Sequence, residues 1–136
     1  MTLTRHNVRE IAFQTLFLLD SKNDVDVDSA ERQVLHSRGV QEIPEYLNYL
    51  VNGVLENESE LDKEITQHLK KGWALSRISR TDVNIMRIGL FEIQHSPAIP
   101  DKVAINEALQ LADQYSDLES KKFINGILSN FVQDPA

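Results

Sequence analysis

The sequence has no cysteine, which excludes disulfides, thiolate nucleophiles and cysteine-based zinc sites. Its five glycines are scattered over 136 residues. None gathers into a phosphate-cradling loop, and no lysine follows a glycine-rich turn into a helix, so nucleotide hydrolysis is not expected. No apolar run approaches the roughly 18 residues that a membrane span requires. The amino terminus, MTLTRHNVREIAF, mixes charge into its apolar pattern where a signal peptide is continuously hydrophobic. The expectation is a cytoplasmic protein that makes no membrane contact.

A basic excess is also missing. The formal charge is −7, which argues against a general polyanion binder, because nonspecific nucleic-acid affinity comes from clustered Lys and Arg. The acidity is concentrated, however. Residues 23–68 carry −8, whereas residues 1–22 carry +1 and residues 69–96 carry +3. A positive surface therefore remains available if folding joins the amino-terminal helix, the 70–87 region and Lys121/Lys122.

What is present is helical periodicity. A hydrophobic content of 41% suffices for a core, and no stretch alternates with period two between hairpin turns, so an all-α fold is expected. The first helix is predicted over about 4–20, capped by Thr4, with Val8, Ile11, Ala12, Leu16 and Leu19 on one face. SKNDVDV breaks the pattern, a second helix covers about 29–38 and ends at Gly39, and Pro44 opens a third. Ser59 with Asp62 reads as a cap for a fourth helix, or for a bent continuation of the third, ending near Gly72. Ser79 with Asp82 repeats that signal before VNIMRIGLFEI, whose nearly unbroken apolar character marks a central buried helix. SPAIP is a rigid connector to the last two helices. The weak boundary near Gly72 divides one domain, 1–136, into helical subdomains of about 1–72 and 73–136.

Chemistry-bearing patterns are sparse. His6, His36, His68 and His95 are far apart and form no HExxH pairing, so no metal or other cofactor is expected. The carboxylates between Glu56 and Glu64 read as a solvated face near a helix start, and no catalysis is expected. Two aromatic anomalies stand out. Phe13 and Phe17 project away from the first helix's core stripe, with His6, Arg9 and Glu10 sharing or bordering that second face. Rings beside cations form a stacking platform for unpaired bases, while a helix buried on two sides would give the same pattern. In SKKFINGILSNF, residues 120–131, Ile124, Ile127, Leu128 and Phe131 share a face and Phe123 falls at its margin. Gly126 lies mid-helix, where glycine costs roughly 1 kcal/mol relative to alanine, which points to close approach by another helix or a ligand.

Four blocks, VREIAFQTLF, IMRIGLFEI, IPDKVAINEALQLADQYS and ESKKFINGILSNF, occur in this order across nearly the whole chain. Together they resemble the NusB family of bacterial transcription antitermination factors, most specifically in KVAINEA followed by KFINGIL. The resemblance implies two three-helix bundles packed across each other, about seven helices in all. It also implies a non-catalytic adaptor that binds boxA elements of ribosomal RNA leader transcripts with NusE, a small-subunit ribosomal protein, and joins other Nus factors on RNA polymerase.

By position, the resemblance carries RNA-binding roles to Arg5, His6 and Arg9, to Phe17, and to Lys122, Phe123 and Asn125 of the KFINGIL block, with Lys121 just ahead. It carries a NusE contact to Asp82, while close packing of the terminal helix at Gly126 is expected from the glycine itself and not from the resemblance. The amino terminus departs from the family's arginine-rich pattern, with two arginines and one histidine, so electrostatic RNA affinity is expected to be modest and dependent on the partner. A similar domain precedes the catalytic part of some ribosomal RNA cytosine methyltransferases, but 136 residues without cysteine leave no place for that chemistry. A protein-binding or dimerisation module without direct RNA contact stays open, as does a homodimer.

Overall fold

A computed structural model describes residues 3–21 and 24–132, and every regular element among them is helical. Helix α1 (Arg5–Ser21) starts where Thr4 Oγ1 accepts the Asn7 amide at 3.0 Å, the cap that the sequence indicated. Helix α2 (Val27–His36) begins two residues earlier than expected, because the Asp26 carboxylate accepts the Ser29 amide at 2.7 Å. Of the pattern break at 21–27, positions 22 and 23 lie outside the described residues. The chain leaves α2 through Gly39 at φ +72°, the left-handed conformation open to glycine.

Pro44, in extended conformation, precedes α3 (Glu45–Glu56). Helix α4 (Glu58–Thr66) follows after Asn57 alone, whose amide and side-chain nitrogen both donate to the Gly53 carbonyl. Ser59 is therefore already inside the helix, and the cap expected there does not form. Gly72 does not end α4 either; it lies six residues further on, at φ +88°.

Ser79 Oγ accepts the Asp82 amide at 3.1 Å and opens α5 (Arg80–His95), as its spacing indicated. Every residue from 82 to 92 of α5 is buried, which makes it the central helix. Pro100 leads into α6 (Asp101–Tyr115), and Asp117 caps α7 (Leu118–Leu128) by accepting the Ser120 amide at 2.8 Å. Single 3-10 turns, Leu75–Arg77 and Ser129–Phe131, precede α5 and follow α7.

Helices α1, α2 and α3 pack on one another as one three-helix bundle, and α5, α6 and α7 form the second. Helix α5 joins the two by also packing on α1, α3 and α4. Close approach is purchased at two glycines. A Cβ on Gly89 would stand 2.8 Å from Leu128 Cδ1 and 3.2 Å from Ala108 Cβ, and one on Gly53 would fall on the Phe91 ring. Gly126 is the opposite case: a Cβ there meets nothing within 4 Å among the described residues, so close packing of the terminal helix does not account for it. No helix among the described residues is long and apolar enough to cross a membrane.

Candidate nucleic-acid interface

The first turns of α1 bring three basic side chains to different environments. Arg5 lies on the surface with its guanidinium carbon 3.8 Å from the centre of the Tyr46 ring. His6 Nδ1 is 3.1 Å from Glu107 Oε1. Arg9 is only 3% exposed, which corrects its expected place among surface cations. Its Nε donates to both oxygens of Glu92, at 2.8 and 3.0 Å, and its Nη1 to Glu107 Oε1 at 2.8 Å. Burial opposes the charge, but the Glu92 hydrogen bond and the two carboxylates outweigh it and raise the Arg9 pKa. The Tyr46 hydroxyl donates to Glu92 as well, and its pKa is pushed up to about 12 by burial first and the carboxylate second. The reason for the correction is that Arg9, Phe13 and Leu16 follow one another at helical spacing on a face that α5 and α6 cover.

The two phenylalanines of α1 separate. Phe13 is 4% exposed, and its ring centre lies 4.7 Å from that of Tyr115, so of the two readings left open by the sequence it takes the core one, on a helix buried on two sides. Phe17 is 41% exposed. It walls a surface groove with Gln14, Leu18, Val34, Thr81 and Tyr115. Beyond it, Asp20 accepts from Arg80 Nη2 at 3.3 Å and from Asn84 Nδ2 at 2.8 Å, fixing the end of α1 to the start of α5.

On α7, Lys121 Nζ pairs with Asp113 at 3.0 Å, while Lys122 and Asn125 are exposed. Phe123 is half-buried between two grooves. Asp82, expected at a partner surface, is 6% exposed and accepts from Ser116 Oγ at 2.9 Å, although it also lines one of those grooves.

The NusB family profile matches residues 6–133. This chain belongs to the NusB family. It is 48% identical over 136 residues to the transcription antitermination protein NusB of Levilactobacillus brevis, covering 98% of this chain and 96% of that one. NusB from T. maritima superposes with a TM-score of 0.87 at 30% identity over 98% of this chain and 94% of that one. A chain in a crystal structure of the antitermination factors NusB and NusE with double-stranded RNA has the same fold, with a TM-score of 0.83 at 23% identity over 93% and 94% of the two chains.

Within this NusB fold the candidate residues form no single patch. Arg5 and Phe17 are twelve residues apart on α1, about 18 Å along the axis. Phe123 and Asp82 do meet, in a groove walled also by Ser79, Arg77 and Trp73. Trp73 was not among the residues singled out from sequence, yet it is 54% exposed. Its signal was present in KKGWALSR, an aromatic interleaved with Lys70, Lys71 and Arg77.

Proposed function

We propose that this NusB-family chain is a non-catalytic, cytoplasmic RNA-binding adaptor in transcription antitermination, acting on boxA-type sites of ribosomal RNA leader transcripts with NusE. Family membership supports the antitermination role. The partners named with the NusB fold neighbour, NusE and RNA, are carried to this chain as part of the proposal. The geometric observation that carries the RNA reading is that Phe17 and Phe123 stay at the surface while Phe13, at the same spacing logic, is buried. Arg77 lines a groove with Phe123, and Lys122 adjoins that ring in the chain. Exposed rings beside cations suit unpaired bases on a charged backbone.

In this reading Arg5, Lys121 and Lys122 supply charge, Phe17 and Phe123 stack, and His6 and Asn125 hydrogen-bond. Arg9 contributes by holding α1 in place. Asp82, with little free surface, serves the NusE side through its neighbourhood and its bond to Ser116. Further Nus factors and RNA polymerase are reached through the assembled complex.

Fluorescence anisotropy of a labelled boxA-type RNA, titrated with this protein with and without NusE and beside a scrambled RNA at the same salt, tests the proposal. Selective binding that tightens with NusE is expected. Equal weak affinity for both RNAs, unchanged by NusE, would overturn it.

A further inference from the structure

The two grooves flanking Phe123 share Trp73, Glu119 and Phe123 as walls. One continues toward Arg77 and Ser79, the other toward His68, Lys70 and Gly126. Trp73, the sole tryptophan of the chain, is 54% exposed although an indole is among the largest apolar surfaces a protein can bury. Arg77 and Lys70 each line a groove with it, Lys71 is two residues from it in the chain and Lys122 adjoins Phe123; all four are exposed, and none has a carboxylate within ion-pair distance among the described residues. In a chain with 21 acidic and 14 basic side chains, that local surplus of unpaired cations is a distinct feature. The carboxylates nearby are Glu119, which is exposed, and Asp82, which is buried against Ser116.

Gly126 supplies the second observation. It lies inside α7, where a side chain would favour the helix, and a Cβ there would project into open space on the wall of this groove. No contact among the described residues accounts for a bare backbone at that point. A bare backbone lets an incoming group lie directly against the helix.

We propose that Trp73 is a third base-stacking ring, beside Phe17 and Phe123, and that a single-stranded RNA segment runs along this trough, from the Lys70 side over Gly126, past Phe123 and Trp73, to Arg77. The inference rests on the RNA-binding reading above and extends it to a residue and a path. Each element has a chemical counterpart in an unpaired strand: indole and phenyl faces for successive bases, four unpaired cations for phosphates, a side-chain-free helix surface for the backbone. A paired duplex has no exposed base faces to offer these rings, so the preference is for unpaired RNA.

Because Trp73 is the only tryptophan, its intrinsic emission reports on this trough alone. The experiment titrates the protein with a short single-stranded boxA-type RNA, following Trp73 emission and the anisotropy of the same labelled RNA in parallel. The expected result is quenching with the same midpoint as the anisotropy change. Trp73→Ala weakens affinity roughly five- to hundredfold, Trp73→Phe retains most of it, and neither shifts the melting temperature appreciably. Anisotropy binding with constant Trp73 emission and an unaltered Trp73→Ala affinity would overturn the trough while leaving RNA binding intact. Quenching by NusE alone, with RNA silent in the emission, would assign the trough to the protein partner and overturn the inference likewise. No anisotropy change with any RNA would remove both readings.

Discussion

Arg9 of α1 and Glu92 of α5 form a bidentate pair, at 2.8 and 3.0 Å, sealed inside the molecule where the two bundles meet. A buried pair of this kind adds little over an apolar replacement of the same shape, but removing one partner strands the other without water. Arg9→Ala is therefore expected to cost about 3–5 kcal/mol in chemical denaturation. Its RNA affinity, corrected for the folded fraction, is expected to match the parent. A fully stable Arg9→Ala protein that no longer binds RNA would return Arg9 to the interface.

The two phenylalanines of α1 are expected to behave oppositely. Phe13→Ala opens a cavity against Tyr115 and should cost about 3–5 kcal/mol. Phe17→Ala removes a ring that is already 41% exposed, so its melting temperature should stay close to the parent while RNA affinity falls several-fold. Thermal melts beside anisotropy titrations separate the two effects. A large stability loss at Phe17 would mark it as a core residue.

Substitution of two glycines by alanine should change stability in opposite directions. Gly126→Ala adds a methyl in open space and improves helix propensity, raising stability by up to about 1 kcal/mol. Gly89→Ala forces Leu128 and Ala108 apart and should cost about 1–3 kcal/mol. If RNA lies against α7 as proposed, Gly126→Ala will be the more stable protein and the weaker binder. Denaturant midpoints and RNA titrations on the same samples check both halves.

Glu31 on α2 is 1% exposed, and its Oε2 has no hydrogen-bond partner among the described residues. Burial pushes its carboxyl from the ordinary 4.5 up to about 7, with Asp28 adding to the rise and Arg32 opposing it. A carboxyl with a higher pKa in the folded state keeps a proton there that the unfolded chain has already released. Its contribution is fully present below the unfolded value of 4.5 and is lost as the pH rises through about 7. Glu31→Gln should flatten that decline and gain about 1–3 kcal/mol at pH 8, measured as the denaturation midpoint across the pH range. An identical pH profile for the two proteins would show that Glu31 is ionised in the fold.

Several features were legible from local chemistry. The Thr4 and Ser79 caps form as their side chains dictate, and the apolar run after Ser79 is the central helix. Asp26 was a stronger cap than Ser29, and Ser59 lost its capping role because α4 had already started at Glu58. Both differences arise from competition among neighbouring polar residues for the same helix start. Among candidate site residues, Phe17 and Phe123 reach the surface, whereas Arg9, Phe13 and Asp82 do not. Trp73 was overlooked because an aromatic in an irregular segment belongs to no helical stripe.

By itself, the sequence determined the helical class, the order of the elements, the interior character of α5 and the family, because propensity, capping and apolar spacing act over a few residues. Only the tertiary structure decided how far around each helix the burial extends. A helical wheel orders residues around one axis, but the number of neighbours packed on that axis comes from elsewhere in the chain. Helix α1 is covered by α2, α3, α5 and α6. That enclosure turned Arg9 into an internal brace and Phe13 into core, and it left Phe17 at the edge. Helix α7 has no neighbour over Gly126 among the described residues, so the bare backbone that suggested close packing faces open space beside Trp73.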